Sequence, residues 1–348
     1  MKSKKKILLA PLDWGLGHAS RCIPIANQLI DHGFEVIFAA SGRPMHLLMN
    51  DFPKHDFIKL EGYHIHYPKN GQMAYSMMTQ SLKIWQGIRR EHSLLQSIID
   101  TYQIDGVISD NRYGLYSTKV PCVFITHQLN IQAPILSSFI RKINHKYINR
   151  FSQCWIPDTP QHQLSGILSS PIPSNIDCKY VGSLSRFKKL KKTEDLDILA
   201  VISGPEPQRT VFEKLLRKEL KKNSNKALLV LGKTEDHNVE HHQQLKIVGH
   251  LNSEELNQAM VNADIIISRS GYSTIMDIAM LHKKAIFVPT PGQTEQLYLA
   301  KYFYDQKMAY AIHQNQFDLD LALNDIKSFN GICIENESVN WTELFDIF

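Results

Sequence analysis

Short apolar runs that alternate with helical patterns are the feature that most constrains the fold of this chain. The runs "KKILLAP", "EVIFAAS", "IDGVISD" and "PCVFITH" are rich in β-branched residues, and helix-like segments such as "PIANQLIDHG" separate them. Near-continuous apolar strands joined by helices are typical of parallel sheets, because helices cover both faces of such sheets. We therefore expect an α/β protein whose ligands bind beyond the carboxyl ends of its strands.

The same alternation starts again after the charged segment "KKLKKTEDLD". The strand-like run "ILAVISG" follows it, and then come "RTVFEKLLRKELKK", "KALLVLG", "QLKIVGH" and "ADIIISRSG". A chain of 348 residues is also longer than a usual single domain. We predict two Rossmann-like domains, at residues 1–186 and 195–348, with the last helix either in the second domain or returning to the first.

Composition narrows the class of protein. Hydrophobic residues make up 43% of the chain and charged residues 21%, which is ordinary for a soluble enzyme. A formal charge of +5 suits anionic ligands or an anionic membrane surface but is too weak to predict nucleic-acid binding. The five scattered cysteines form no C-x-x-C pair, which indicates reduced structural thiols. No apolar run approaches the ~20 residues of a membrane span, so we expect a cytoplasmic protein.

The segment "DWGLGHASRC" joins the first strand to a helical pattern. Gly15 and Gly17 stand directly before His18, where flexible backbone either approaches a ligand or merely turns the chain. Histidine titrates near neutrality, so His18 is a candidate general base, with Asp13 and Asp110 as alternatives. His18 could equally bind the glycine loop or a phosphate without moving a proton. Pro24 predicts that the helix starts after His18 or kinks.

A second turn, "SRSGYST", lies between the apolar run "ADIIIS" and a helical pattern. Backbone N–H groups and the positive end of the helix dipole suit a phosphate at such a place. Arg269 either adds charge or braces the loop, and Asp277 lies one turn into the helix, where it could bind ribose. The alternative is an ordinary turn whose helix is capped by Ser273 or Thr274.

The loop "PTPGQTEQ" follows the next predicted strand. Its amide and carboxylate side chains offer paired donors and acceptors that suit sugar hydroxyls, although a polar surface loop has the same composition. Just upstream, Asn252 and Glu255 have the spacing of a capping box and predict a helix that ends near Asn262.

These segments resemble a known family. "RSGYSTIMDIA" with "AIFVPTPGQTEQ" is similar to the donor-binding region of MurG-like glycosyltransferases, which belong to glycosyltransferase family 28 and have the GT-B fold. "GLGH" and "THQLN" resemble segments of the N-terminal domain of that family. The resemblance implies two Rossmann-like domains facing a cleft, an inverting reaction, and a nucleotide sugar as co-substrate with no other cofactor.

The resemblance also implies roles for individual residues. Ser273 and Thr274 would hold a diphosphate, Asp277 the ribose, and Glu295 with Gln296 the sugar. The complete donor set is Gly15, Gly17, Ser203, Gly204, Arg209, Gly249, His250, Leu251, Arg269, Ser270, Gly271, Ser273, Thr274, Asp277, Gln293, Thr294, Glu295 and Gln296. The acceptor side comprises Asp110, His127, Gln128 and Asn130, and the candidate catalytic residues are His18 and Asp13.

The expected activity is transfer of a hexose, first of all N-acetylglucosamine, from a UDP-sugar to an unidentified acceptor that is lipid-linked or part of the cell envelope. A helix N-terminus with Arg269 can stabilise the leaving diphosphate, so we expect no essential metal. Two alternatives stay open: a hydrolysing UDP-sugar 2-epimerase of the same architecture, and a non-catalytic subunit that binds sugar nucleotides. An NAD dehydrogenase is disfavoured, because no G-x-G-x-x-G follows the first strand.

Residues 133–151, "APILSSFIRKINHKYINRF", combine apolar residues with four cations at helical spacing. A basic amphipathic helix of this kind could rest on an anionic membrane, which would place the protein at the inner face. A helix packed on its own sheet has the same pattern.

Overall fold

The computed structural model describes residues 4–63, 80–132, 137–204, 206–233, 236, 238–334 and 339–348. These residues divide into two compact units. The first unit contains the described residues up to Arg186 together with 339–348, and the second contains those from 187 to 334. Each unit is built around one seven-stranded sheet.

The sheet of the first unit is parallel and has the strand order β3-β2-β1-β4-β5-β6-β7. Its strands are β1 (Lys6–Pro11), β2 (Glu35–Ala40), β3 (Asp56–Lys59), β4 (Gly106–Asp110), β5 (Cys122–Ile125), β6 (Gln153–Ile156) and β7 (Cys178–Tyr180). Its helices are α1 (Leu16–Asp31), α2 (Gly42–Asp51), α3 (Ser81–Tyr102) and α4 (Ser137–Ile148), with a 3-10 turn at Gly166–Leu168.

The second unit has the strand order β10-β11-β9-β8-β12-β13-β14, in which only the pairing of β10 with β11 is antiparallel. The strands are β8 (Leu196–Val201), β9 (Ala227–Val230), β10 (Val239–His242), β11 (Leu245–Val248), β12 (Ala263–Ser268), β13 (Lys284–Phe287) and β14 (Tyr310–Ala311). The helices are α5 (Gln208–Lys222), α6 (Ser253–Asn262), α7 (Tyr272–Leu281), α8 (Thr294–Asp305) and α9 (Leu319–Asp325), with 3-10 turns at Gln314–Gln316 and Ile326–Ser328.

The last described segment completes the core of the first unit. Its short helix α10 (Trp341–Phe345) packs on the buried Trp155 of β6, with ring centroids of Trp155 and Phe345 6.0 Å apart. Phe348 packs on the same indole at 6.4 Å and also contacts Phe34. These contacts cover apolar surface that would otherwise face water.

The structure confirms two Rossmann-like sheets of mainly parallel strands and corrects two local predictions. Helix α1 begins at Leu16 and contains Pro24, so the proline does not delay its start. Proline has no N–H group, so one backbone hydrogen bond of the helix is missing at Pro24. Burial of Ile23, Ile25 and Ala26 stabilises this turn of the helix instead. Helix α7 begins two or three residues earlier than a Ser273 or Thr274 cap requires, because Gly271 is the N-cap residue.

The predicted capping box is confirmed. The Asn252 side chain accepts a hydrogen bond from the Glu255 backbone, the Glu255 carboxylate accepts one from the Asn252 backbone, and the helix ends at Asn262. Of the predicted basic helix over 133–151, residues 133–136 lie outside the described residues, and α4 accounts for the segment from Ser137.

Candidate functional site

Each sheet has one topological switch point, where neighbouring strands connect in opposite directions. In the first unit it lies between β1 and β4, and in the second between β8 and β12. Loops beyond the carboxyl ends of such strands splay apart and leave room for a ligand. The predicted site residues of the glycine loop follow β1, and those of the "SRSGYST" turn follow β12.

The glycine loop of the first unit positions His18 against the end of β4. Gly15 is the N-cap residue of α1 and has φ = 96°, a conformation that favours glycine. His18 therefore lies in the first turn of α1, with its side chain 17% exposed. Its Nδ1 is 3.1 Å from Oδ1 of Asp110, the last residue of β4.

Asp110 is a fully buried carboxylate held by two groups of α1. The Arg21 Nε donates to Oδ2 at 2.6 Å, Arg21 Nη2 donates to Oδ1, and His18 contacts the same Oδ1. Burial alone would raise the pKa of Asp110, but the charges and hydrogen bonds of Arg21 and His18 outweigh it and lower the pKa to about 2. Asp110 is thus ionised at neutral pH and oriented toward the imidazole.

Asp13 has different surroundings. Its carboxylate packs against the backbone of Gly62, where an added Cβ would lie 1.9 Å from Oδ1, so Gly62 cannot carry a side chain without a shift. That Oδ1 is buried without a hydrogen-bond partner among the described residues. The neighbouring Trp14 packs edge-on against Tyr63 at 6.4 Å. Among the described residues, the polar contacts of the His18 side chain are with Asp110 and Arg21, and Asp13 is not one of them.

The predicted acceptor segment follows β5 and is held by its own unit. Asn130 is buried and its Nδ2 donates to the Pro171 carbonyl at 3.2 Å. Asn144 of α4, which the sequence did not single out, donates to the Gln128 carbonyl at 2.8 Å. His127 is only 3% exposed. The polar groups of this segment therefore fix the loop after β5.

In the second unit the two predicted polar loops touch each other. The Ser270 hydroxyl donates to the Gln296 carbonyl at 2.8 Å, and Arg269 Nη1 donates to the Val288 carbonyl at 2.9 Å. The Gln296 carboxamide oxygen accepts from the Thr290 backbone at 2.8 Å, so this part of the side chain braces the loop. Gln293, Thr294 and Glu295 complete the start of α8.

Arg269 is a buried cation with no carboxylate partner among the described residues. It is 1% exposed, and it donates hydrogen bonds to the carbonyls of Val288, Pro289 and Gln208 and to Oε1 of Gln314. Its guanidinium stacks on Phe212 at 4.0 Å. Burial lowers the pKa of Arg269 to about 9, which expresses the cost of an uncompensated charge.

Nearby polar atoms are also incomplete. Within the described part of the chain, Nε of Arg269, Oε1 of Gln208 and Oγ1 of Thr290 are buried without a hydrogen-bond partner. Native proteins leave few such atoms unpaired, and a bound ligand is one common reason for them. The surroundings of Arg269 thus have a surplus of positive charge and unused hydrogen-bonding capacity.

Arg269 directly follows β12, and helix α7 begins three residues later, at Tyr272. Gly271, which has no side chain, is its N-cap residue, and the helix runs for 10 residues. The dipole of α7 adds partial positive charge at this end. Ser273, Thr274 and Asp277 are half-buried on its first turns. An anion at this position would be stabilised by both the helix and Arg269.

The remaining predicted donor residues surround neighbouring strand ends. Ser203 and Gly204 follow β8, and Gly204 has φ = 100°. Arg209 Nε lies 3.3 Å from Oε1 of Glu206, an ion-pair distance without hydrogen-bond geometry, so its charge is balanced, unlike that of Arg269. Gly249, His250 and Leu251 follow β11.

A buried network behind the first site was missed from the sequence. Arg112 Nε donates to Glu91 at 2.7 Å, and the Tyr63 hydroxyl donates to the same carboxylate at 2.6 Å. Arg112 also donates to the carbonyls of Pro11 and Glu61. Burial raises the pKa of Glu91, against the opposing effect of Arg112. The network ties α3 to the ends of β1 and β4.

Comparisons with known proteins agree with this architecture. Residues 200–330 match the glycosyltransferase family 28 C-terminal domain. The chain is 26% identical over 347 residues to the UDP-N-acetylglucosamine--N-acetylmuramyl-(pentapeptide) pyrophosphoryl-undecaprenol N-acetylglucosamine transferase of Buchnera aphidicola subsp. Schizaphis graminum, covering 95% of this chain and 90% of that protein. The enzyme of the same name from Pasteurella multocida is 23% identical, with 97% and 93% covered.

Solved structures share the fold at lower identity. Acinetobacter baumannii MurG superposes with a TM-score of 0.56 at 15% identity, covering 93% of this chain and 90% of that one. Arabidopsis thaliana UGT89C1, complexed with quercetin, gives 0.63 at 12% identity, with 94% and 90% covered. The two sheets thus have the arrangement of the GT-B glycosyltransferase fold. Residues 200–330 match the family 28 C-terminal domain, and the chain as a whole is similar, at low identity, to MurG-type transferases.

No helix among the described residues has the length and apolar character needed to cross a bilayer. Nor do the described His, Cys, Asp and Glu side chains form a group of three or more that could hold a metal ion.

Proposed function

We propose that this protein transfers a hexose, first of all N-acetylglucosamine, from a UDP-sugar to a lipid-linked or other cell-envelope acceptor. The observation that carries the proposal is Arg269, a buried cation without a carboxylate partner in the described chain, two residues before the N-cap residue of α7. A diphosphate would supply the missing negative charge. The names of these relatives, which combine UDP-N-acetylglucosamine with a pyrophosphoryl-undecaprenol acceptor, support this choice of substrates.

On the donor side, the diphosphate would lie against the N-terminus of α7 with Ser273 and Thr274. Asp277 would bind the ribose, and Glu295 with the amide group of Gln296 would bind the hexose. Gly249 to Leu251 would face the base through backbone groups. The leaving diphosphate gains negative charge as the sugar bond breaks, and Arg269 with the helix dipole stabilises that charge without a metal.

On the acceptor side, His18 would accept the proton. The acceptor oxygen attacks the anomeric carbon, the bond from that carbon to the diphosphate oxygen breaks, and the acceptor proton passes to Nε2 of His18. For this, Nδ1 must carry a proton and donate to Asp110, 3.1 Å away. Arg21 and His18 occupy the carboxylate oxygens of Asp110, so we assign it the role of orienting His18.

Donor binding tests the assignment. We expect UDP-N-acetylglucosamine to bind in isothermal titration calorimetry and the variant Arg269→Gln to bind it about 10-fold to 100-fold more weakly, since charge-assisted hydrogen bonds contribute about 1.5–3 kcal/mol. Asp277→Ala should also weaken binding, through loss of the ribose contact.

The matched control is Arg217→Gln, an arginine of the same unit that pairs with Glu213 and Glu240. It should leave the affinity unchanged. Binding of GDP-sugars in place of UDP-sugars would refute the donor assignment, and unchanged affinity in Arg269→Gln would refute the diphosphate site. Conversion of UDP-N-acetylglucosamine to UDP and a free epimerised sugar would identify a hydrolysing epimerase.

Helix α4 is the proposed contact with an anionic membrane. Phe139 is 59% exposed and Ile143 is 42% exposed, and Arg141, Lys142 and Lys146 lie on the same helix. Exposed apolar side chains among cations suit the interface of an anionic bilayer, where a lipid-linked acceptor would lie.

We expect the protein to co-sediment with vesicles of phosphatidylglycerol and phosphatidylcholine, and less so as salt increases. The double variant Phe139→Ser/Ile143→Ser should reduce the bound fraction several-fold. Leu321→Ser, which removes an apolar side chain that is 51% exposed in the second unit, serves as control. Equal sedimentation of all three proteins would exclude α4 as the membrane contact.

A further inference from the structure

Arg21 is a buried residue of the first site that neither the sequence motifs nor the proposed reaction uses. It is 2% exposed and lies one turn after His18 on α1. Its Nε and Nη2 donate to the two oxygens of Asp110, and its Nη2 is also 2.9 Å from Nδ1 of His18. The guanidinium therefore contacts both members of the His18–Asp110 pair.

The charge of Asp110 creates a difficulty for His18 as a base. A buried, ionised carboxylate that faced only an imidazole would favour the protonated imidazolium, because each charge would compensate the other. An imidazolium has donors on both ring nitrogens and cannot accept a further proton. Asp110 by itself would thus tend to disable the base that it orients.

Arg21 removes this difficulty in two ways. Arg21 donates to both oxygens of Asp110, so its positive charge balances the carboxylate and no imidazolium is needed to do so. Because Nδ1 of the neutral base carries its own proton, Nη2, 2.9 Å away, is not a hydrogen-bond donor to it. The guanidinium acts there as a like charge beside any imidazolium, which disfavours a second proton on the ring. We propose that Arg21 is a positioning residue that keeps His18 unprotonated, and so able to accept the acceptor proton, while leaving Asp110 ionised.

In the described chain, the ionisable groups that contact the His18–Asp110 pair belong to α1, and Asp110 itself belongs to β4. These groups of α1 are Arg21 and Cys22. Cys22 Sγ lies 3.9 Å from Asp110 Oδ2, and burial raises the pKa of this thiol well above its usual value, so it stays neutral. Arg21 is thus the cation that sets the balance between Asp110 and His18 in the described residues.

The test is the protonation of His18, measured by NMR on protein labelled with ¹⁵N-histidine. His18→Gln identifies the His18 signal by its loss, and the other histidines serve as internal controls. Arg21→Gln removes the charge and keeps an amide donor near Asp110, whereas Arg21→Lys keeps the charge. We expect the midpoint of His18 protonation to rise by at least one pH unit in Arg21→Gln, about tenfold in proton affinity. It should change little in Arg21→Lys and fall in Asp110→Asn.

Activity gives a second measurement. In Arg21→Gln the acid limb of the pH profile of kcat/KM should move to higher pH by the same amount, with kcat recovering at alkaline pH and donor affinity unchanged. A merely structural role would lower stability and leave this profile in place. An unchanged or lowered midpoint in folded Arg21→Gln would overturn the proposal. If that variant does not fold, an Asp110→Asn midpoint that fails to fall would overturn it.

The inference about activity rests on the proposed role of His18, but the two can fail separately. If His18→Gln retained full turnover, His18 would not be the base, whereas the NMR midpoints of the Arg21 and Asp110 variants would still report whether Arg21 governs the protonation of His18. Unchanged midpoints combined with loss of turnover in His18→Gln would leave the base in place and remove the role of Arg21.

Discussion

Replacement of His18 by glutamine is expected to lower kcat by about 10²-fold to 10⁴-fold, the usual contribution of a positioned general base. Donor affinity should change little, because the proposed diphosphate contacts lie in the second unit, on Arg269 and α7. Glutamine keeps the size and polarity of the side chain but cannot take up a proton. Turnover is measured as UDP released from UDP-N-acetylglucosamine, with a lipid-linked sugar or water as acceptor, and affinity by calorimetry.

The control for this experiment is His32→Gln. His32 lies at the opposite end of α1, where its ring packs on Phe345 at 5.2 Å, so the variant tests loss of a histidine from the same helix. It should retain turnover. If His18→Gln instead retained kcat but lost donor affinity, His18 would be a binding residue that moves no proton, which is the alternative that the sequence left open.

The second large effect is expected at Arg112. The variant Arg112→Met leaves Glu91 buried at 3% exposure without its cation, and removal of one partner of a buried ion pair costs about 3–5 kcal/mol. The free energy of unfolding can be followed in urea by tryptophan fluorescence. All four tryptophans, Trp14, Trp85, Trp155 and Trp341, belong to the first unit, so the signal reports that unit.

The loss should depend on pH. Burial already raises the pKa of Glu91, and without Arg112 it would rise further. An acid whose pKa is higher in the folded state binds more protons there, so folding stability falls as pH rises above the unfolded value. The deficit of Arg112→Met relative to the natural protein is therefore expected to be larger at pH 7 than at pH 5.

Two variants control the interpretation. Lys119→Met breaks an exposed ion pair with Asp100 in the same unit and should cost less than about 1 kcal/mol. The double variant Arg112→Met/Glu91→Leu removes both charges and should recover part of the loss, because an apolar pair needs no compensation. A deficit no greater than that of Lys119→Met would mean that the Glu91–Arg112 pair stabilises nothing.

Local patterns explain which parts of the fold the sequence predicts. The Asn252–Glu255 box and the buried strand before Ser268 depend on residues a few positions apart, and both occur in the structure. The antiparallel strand β10 was not predicted, because its "VEHH" segment is polar and pairs along only one edge. The cap of α7 was assigned to hydroxyl side chains, whereas a glycine without a side chain occupies that position.

In the candidate site, the residues that local patterns reveal make contacts that local patterns do not predict. His18 and the "SRSGYST" turn stand out because each occupies the step from a strand to a helix. The contact of His18 with Asp110 joins residues 92 positions apart, and the pairing of Arg112 with Glu91 joins residues 21 apart. Such contacts depend on strand order, since β4 comes to lie beside β1, and no spacing along the chain specifies them.

The first unit is built from two stretches of sequence, the residues up to Arg186 and residues 339–348, and this has a consequence for biosynthesis. Trp155 and Phe34 acquire their covering side chains from Trp341, Phe345 and Phe348, which leave the ribosome only after the whole second unit has been made. During that interval the nascent sheet exposes aromatic surface of the kind that makes folding intermediates prone to aggregation. A chain truncated before Trp341 would therefore leave the sheet that was translated first without its aromatic cover.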